Sequence, residues 1–419
     1  MDYRPWTTHH MTRQRYIFLV LILGALTAIS PFSIDMYLPG FPAIAKSLHT
    51  TTAQVALSLS SFFIGISVGQ LLYGPLLDRF GRKNPLYVGL SLYILTSIAC
   101  FFVTSIETLI VLRFIQAVGS CAATVASFAM VRDIFPVKDN AKIFALLILI
   151  LGASPMIAPT VGGYITFAFG WQLIFLILAA IATLVLIAVI FALPESYQPD
   201  PTFSLKPKPI ISSFLSVLKH PQFYTYAICG AVSFSGLFAY LSASPFVFMV
   251  LFGVSSKVYG WIFAGLSIGF IGSNQVNTLL LRYFTSRQIV NVSLPAMVII
   301  ASILLLGTLN GWYGLTGTIL LIFAFLSCVG ITYPNTTALS LAPFSKNAGT
   351  AAALMGAFQM AVGSFASIVV SLFNSRNAAP MAGVMLTAAA VALIILIVGR
   401  RMVQEEIVET KEDANVIVH

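Results

Sequence analysis

Apolar runs of about twenty residues recur along the whole chain, and they limit its fold more than any other feature. A helix rising 1.5 Å per residue crosses a bilayer core of roughly 30 Å in a run of that length. Inside hydrocarbon every backbone N–H and C=O must be bonded internally, so such runs are helices. Charged residues are 8% of the 419-residue chain, where soluble domains carry about 25%. The chain therefore reads as an all-α integral, multi-pass membrane protein, and an ordinary soluble enzyme is excluded.

Twelve spans are expected. The first six cover 16–38, 53–74, 85–103, 108–131, 143–165 and 172–193. The second six cover 222–250, 258–281, 289–309, 312–333, 348–373 and 380–399. Between them, 194–221 is polar and proline-rich and reads as a linker. The expected domains are thus an N-terminal tail (1–15), a bundle (16–193), the linker (194–221), a second bundle (222–399) and a C-terminal tail (400–419). The first tail lacks a small-residue cleavage site and is read as retained, starting at Met1 or at Met11.

Lys and Arg set the orientation. Most of the 22 fall on one side: Arg4, Arg13 and Arg15; Arg79, Arg82 and Lys83; Arg132, Lys138 and Lys142; Lys206, Lys208 and Lys219; Arg282 and Arg287; Lys346; Arg400, Arg401 and Lys411. The other side holds Lys46, Lys257 and Arg376. Both termini are expected to be cytoplasmic. The net charge of +9 then reflects topology and lipid contact, not nucleic acid.

The four cysteines lie in apolar segments and the five histidines outside them. No metal site, histidine base or cofactor is expected within the membrane.

Two ionisable residues stand out because a charge at membrane depth is costly and marks function by default. Asp35, in Ser30–Gly40 (SPFSIDMYLPG), is the acid inside an expected span, and Arg113 is the base inside one. The first span runs outward and the fourth inward, so both residues fall at a similar depth in the outer half. They are expected to lie near one another, directly or through Gln116 or water, as a proton-coupling set or as a structural ion pair. A proton switch follows from general electrostatics. Desolvation favours a neutral acid and a nearby guanidinium favours the anion, so a conformational change alters both.

Gly65-Ile-Ser-Val-Gly69 recurs as Gly265-Leu-Ser-Ile-Gly269, at equivalent places in a six-plus-six scheme, which suggests two related halves. Both match the G-x-S-x-G nucleophile pattern, but in mid-helix without a histidine. Close helix packing is the better reading. The loop Gly74-Pro-Leu-Leu-Asp78-Arg79-Phe-Gly81-Arg82-Lys83 lacks the spacing of a phosphate loop. It is either a positive-inside loop or a conformational latch, in which Asp78 accepts charge-assisted bonds from Arg79, Arg82 or a helix N-terminus.

That loop resembles the signature between the second and third helices of the major facilitator superfamily. Arg113-Phe-Ile-Gln116-Ala117-Val-Gly119 resembles the superfamily's fourth-helix motif, with Ala117 where a glycine is usual. Ser154-Pro155-Met-Ile-Ala158-Pro159-Thr-Val-Gly162-Gly163 resembles the fifth-helix motif of drug/proton antiporters, with Ala158 where glycine usually precedes the proline. Ser33–Pro39 and Val131–Pro136 are similar to the Bcr/CflA multidrug group. The resemblance implies two six-helix bundles related by a pseudo-two-fold axis around a central cavity. It also implies a bacterial inner-membrane exporter, not an enzyme, that trades protons for small-molecule drugs by alternating access, acting as a monomer in the lipid bilayer. Export of an endogenous metabolite or short peptide is the alternative; proton-coupled uptake and a receptor role are weaker ones.

The fifth-helix residues Pro155, Ala158, Pro159, Gly162 and Gly163 either block leak, as the resemblance implies, or only kink and pack a helix. Arg132 and Asp133 read as an interfacial pair, with a second proton relay as the alternative. Asp35, Tyr37, Phe234, Phe238, Asn274, Tyr333 and Gln359 are candidates for the substrate cavity, where aromatic stacking tolerates many shapes. Asn277 and Tyr240 also fall in spans. Some related exporters carry a second acid two turns before Asp35. Here that position is Thr27, so neutral compounds such as phenicol-type antibiotics should be better cargo than dications.

Overall fold

The computed structural model describes residues 12–200, 207–344, 348–373 and 377–403. Most of both expected tails falls outside the described residues, as do both candidate starts and the charges Arg4, Lys206, Lys346, Arg376 and Lys411. Among the described residues all regular structure is helical. The helices are α1 (Arg13–Asp35), α2 (Phe41–Ser47), α3 (Thr52–Phe80), α4 (Lys83–Phe101), α5 (Ile106–Ile134), α6 (Val137–Phe169) and α7 (Gln172–Ala192). They continue with α8 (Pro207–Leu218), α9 (Pro221–Pro245), α10 (Ser256–Leu280), α11 (Ser286–Leu309), α12 (Leu315–Leu341), α13 (Ala348–Leu372) and α14 (Ala379–Arg400).

Eleven helical segments among the described residues are long and apolar enough to cross a membrane. The eighth expected span, 258–281, is absent from these. It is the 25-residue helix α10, ample in length, but Ser273, Asn274, Gln275 and Asn277 crowd its second half. The first span also differs from expectation. Its helical course continues past residue 38, through a short 3-10 turn at Leu38–Gly40, to Ser47. Asp35 therefore sits at a joint well inside the segment. Pro31 lies within α1, and Pro39 and Pro42 follow it, so the backbone bends there.

The chain divides into two compact units, Met1–Leu205 with Phe248–Gly265, and Lys206–Val247 with Leu266–His419. In the first, small residues let helix backbones approach closely. A Cβ on Gly65 would stand 2.5 Å from the Phe114 carbonyl oxygen, and one on Gly69 would stand 2.6 Å from the Cβ of Cys121. These contacts join α3 to α5. On another side of α5, Gly119 faces Gly89 and Tyr93 of α4. The core between these helices is built from residues such as Leu23, Leu26, Leu90, Ala126 and Ile174.

In the second unit α9 packs against α12, α13 and α14. Phe325 of α12 presses on Gly236 of α9, and Gly330 of α12 meets Phe270 and Ser273 of α10. The two glycine repeats are not equivalent. Gly269 abuts Phe323, but Gly265 has no atom within 4 Å of a Cβ position. Part of the linker is also ordered as α8, whose Val217 is buried against Phe223, Ala227, Ala351 and Leu354.

Candidate functional site

A polar seam joins α1 to α5. Residues 27, 30, 33 and 37 of the first span follow one another at three- and four-residue spacing and so share a helix face. Thr27 bonds Ser127 at 2.8 Å, Ser30 donates to Ser120 at 2.9 Å, and Ser33 meets the Tyr93 hydroxyl at 2.6 Å. Thr27, two turns before Asp35, is thus a hydroxyl that also donates to the Leu23 carbonyl.

Arg113 closes this seam. It is wholly buried. Its Nη1 donates to Gln116 Oε1 at 2.7 Å and its Nη2 to the Ser33 carbonyl oxygen at 2.9 Å. Gln116 in turn donates to Ser97 at 2.6 Å. The guanidinium carbon lies 4.1 Å from the centre of the Phe62 ring and 4.6 Å from that of Tyr37, with Phe175 farther out at 5.8 Å. Aromatic faces attract a cation, and more strongly where water is excluded. Arg113 Nε has no acceptor among the described residues.

Asp35 does not pair with it. Asp35 is 4% exposed and takes part in no hydrogen bond or ion pair among the described residues. The reason is rotation. Arg113 reaches α1 over the face of Ser33 and Tyr37, and a residue two positions from each points about 200° around the helix. Arg113 thus meets α1 within two residues of Asp35 along the helix, but on another face. Tyr37, expected on a cavity wall, is fully enclosed in the Arg113 box, with its hydroxyl 2.5 Å from Ser58 Oγ.

Helix α6 presses on the joint that carries Asp35. A Cβ on Gly162 would overlap the carbonyl of Met36, the next residue after Asp35. Ala158 is fully buried. Gly163 lies against the Ser256 backbone, Ser256 donates to the Gly163 carbonyl at 3.3 Å, and Thr160 donates to the Gly260 carbonyl at 3.2 Å. Pro155 and Pro159 lie inside α6. Lys257 caps the same region, its ammonium 3.8 Å from the Phe167 ring centre.

The signature loop is shorter than expected. Helix α3 continues through Gly74 and Pro75 to Phe80, so Gly74 and Asp78 are helical, and nothing lies near a Cβ position on Gly74. The turn is made by Gly81, whose φ of +80° suits glycine. Arg82 bridges two acids, Asp78 at 2.8 Å and Asp133 at 2.8 Å. Asp133 thus bonds the loop, while Arg132 is exposed. Arg79 is half-buried. Burial opposes the charge of Arg82, but its hydrogen bonds to Asp133 and Asp78 outweigh this and push its pKa up.

The start of the linker, which sequence reasoning passed over, is bolted to this loop. Glu195 accepts from the backbone N–H groups of Arg82 at 2.8 Å and Lys83 at 3.0 Å, capping the start of α4. Ser196 donates to Asp133 at 3.2 Å, and the Tyr197 ring lies 4.2 Å from the Arg82 guanidinium carbon. The available signal was an acid immediately after a span on the basic side of the protein.

In the second unit four of the cavity candidates meet. Phe234 packs on Tyr333 at 4.5 Å and on Phe238 at 5.6 Å between ring centres, and the Tyr333 hydroxyl donates to Gln359 at 2.6 Å. Phe270, not foreseen, joins them at 6.0 Å. Asn274 makes no side-chain hydrogen bond among the described residues, only its backbone carbonyl accepting from Thr278; the carboxamide bonded across helices is Asn277, which accepts from Asn335 at 2.6 Å. The buried charged side chains among the described residues are Asp35, Arg82 and Arg113, all in the first unit.

A family profile for the Major Facilitator Superfamily matches residues 23–369. A bicyclomycin resistance protein homolog of Haemophilus influenzae is 30% identical over 88% of this chain and 93% of its own. A chloramphenicol resistance protein of Pseudomonas aeruginosa is 29% identical over 91% of this chain and 90% of its own. The crystal structure of a D-xylose-proton symporter shares the fold, with a TM-score of 0.73 at 15% identity over 94% of this chain and 99% of that one. The chain belongs to the Major Facilitator Superfamily: it is a multi-pass membrane transporter and not an enzyme.

Proposed function

We propose that this transporter expels small amphipathic drugs, neutral ones by preference, in exchange for protons by alternating access. In this reading it works as a monomer in a bacterial inner membrane with both termini cytoplasmic. The likeness to proteins named for bicyclomycin and chloramphenicol resistance supports a drug as cargo. Asp35 carries the proton-coupling reading: it is an acid inside an apolar segment with neither a counter-charge nor a hydrogen-bond donor among the described residues. An anion so placed is costly, and a proton removes the charge. Asp35 takes the proton, Arg113 and Gln116 hold the facing helix, and the α6 glycines let the Asp35 joint move against a close neighbour. The loop from Asp78 to Lys83 latches one conformation.

Neutral cargo is favoured because the aromatic and carboxamide cluster around Phe234, Phe238, Tyr333 and Gln359 contains no ionised group. The test is efflux of a phenicol antibiotic from cells and its accumulation in inverted vesicles under an imposed pH gradient. Wild type should respond to the gradient and Asp35→Asn should not. Gradient-driven transport by Asp35→Asn at the wild-type rate would overturn the reading.

A further inference from the structure

Helix α8 and the charges around it have no part in the transport reading. At 12 residues, about 18 Å, α8 is too short to span. One side of it is packed: Val217 is fully buried and Phe214 and Leu218 are half-buried against the starts of α9 and α13. Another side is bare. Ile211 is 53% and Leu215 is 49% exposed, one helical turn apart, and Lys219 is exposed a turn further on. The sequence places Lys206 and Lys208 at the other end.

The charge pattern of the second unit sharpens this. No aspartate or glutamate occurs from 201 to 404, where Lys206, Lys208, Lys219, Arg282, Arg287, Arg400 and Arg401 all occur; the acids of this unit, Glu405, Glu406, Glu409, Glu412 and Asp413, follow in the C-terminal tail. Chain direction puts the α10–α11 connection at the same membrane face as the start of α9. There Arg282 is exposed beside Tyr283, itself 82% exposed. An apolar stripe bracketed by lysines, three residues before a membrane span begins, is the pattern of a helix lying in the bilayer interface. A basic, aromatic rim is what anionic headgroups attract.

We propose that α8 is an interfacial foot: Ile211 and Leu215 enter the acyl boundary, and Lys219 and Arg282 bind the phosphates of anionic phospholipids. The occupant is the bilayer itself, because α8 ends three residues before α9 begins its span and turns Ile211 and Leu215 outward. The inference is independent of cargo, coupling ion and transport direction.

The full chain carrying Ile211→Trp is reconstituted in vesicles of phosphatidylcholine with or without phosphatidylglycerol, one lipid at a time being brominated. Emission above that of the unsubstituted protein should be quenched by brominated lipid, more strongly when phosphatidylglycerol carries the bromine. Adding Lys219→Glu and Arg282→Glu, or raising the salt, should bring the two lipids to parity. Quenching by aqueous acrylamide but not by bromolipid would overturn the proposal, placing the face in water or under another protein. Equal quenching by both lipids before charge reversal would also overturn it. On the unsubstituted protein, spin-labelled phosphatidylglycerol should be immobilised in excess over phosphatidylcholine, and parity there counts against the proposal whatever the variants do. None of these readouts involves transport, so they stand apart from the drug-efflux assay.

Discussion

Arg113 holds α1 by its backbone: Nη2 donates to the carbonyl oxygen of Ser33 at 2.9 Å, and Asp35, two residues on, is left alone on the far side of the helix. The buried base and the buried acid therefore act on one helix from different faces, and they can be separated by experiment.

Arg113→Lys should damage the protein more than charge conservation suggests. One ammonium cannot reproduce the planar fork that serves Gln116 and Ser33 while lying over Phe62 and Tyr37. Losing one charged hydrogen bond at roughly 1.5 kcal/mol or more should lower the melting temperature of the purified protein and cut drug efflux about tenfold. Asp35→Asn breaks no bond to a described residue, so it should melt with wild type while failing to couple to the pH gradient. Matched loss of stability in both variants would show that the two side chains form one unit.

The glycine repeats offer an internal control. Gly65→Ala places a Cβ 2.5 Å from the Phe114 carbonyl oxygen and 2.7 Å from the Cβ of Ala117, whereas Gly265→Ala meets nothing within 4 Å. Overpacking typically costs about 1–3 kcal/mol. Thermal unfolding in detergent should show Gly65→Ala clearly destabilised and Gly265→Ala unchanged or slightly more stable. Equal effects would mean that the second repeat packs as the first does.

Those glycines also show how far the sequence could be read. Apolar length and the scarcity of charge specify a helical membrane protein before any contact is known, and the motifs around Asp78, Arg113 and Pro159 point to the family. Depth was legible for Asp35 and Arg113 because a span has a direction. The face was not, because two residues of offset reverse a side chain. Glu195 went unnoticed because its partners are backbone N–H groups, which carry no residue identity. The polar run at Ser273–Asn277 made α10 poorer in apolar character than its neighbours, while its bonded Asn277–Asn335 pair required knowing which helices touch.

Glu195→Ala should loosen the latch without touching its ion pairs. It leaves the N–H groups of Arg82 and Lys83 without acceptors at the start of α4, a loss of about 1 kcal/mol by analogy with helix caps. Hydrogen exchange at residues 82–86 should quicken while the Arg82 bonds to Asp78 and Asp133 persist. Unchanged protection there would remove Glu195 from the latch.

Arg82 itself should contribute a pH-independent share of stability. Its pKa is raised in the folded protein, so its stabilisation is fully present below the unfolded arginine value and is lost only as pH rises through the higher folded value. Both lie far above neutrality. The difference in melting temperature between wild type and Arg82→Gln should therefore stay constant from about pH 6 to pH 9. A difference that varies across that range would assign the titration to another group.

Cargo choice is the strictest test of the cluster in the second unit. Phe234, Phe238 and Tyr333 present ring faces, and Gln359 is bonded to the Tyr333 hydroxyl. Ring faces accept many shapes but supply no full charge, and Thr27 supplies no second acid in the first unit. Tyr333→Phe removes one hydrogen bond of about 1 kcal/mol and keeps the ring, so it should shift the relative efflux of different drugs by only a few-fold. Phe234→Ala removes the ring at the centre of the cluster and should weaken efflux of all neutral aromatic drugs together. In a pump-deficient host at matched expression, wild type should protect against neutral compounds and poorly against dications. Strong protection against dications, or a Phe234→Ala profile identical to wild type, would move the drug site away from this cluster.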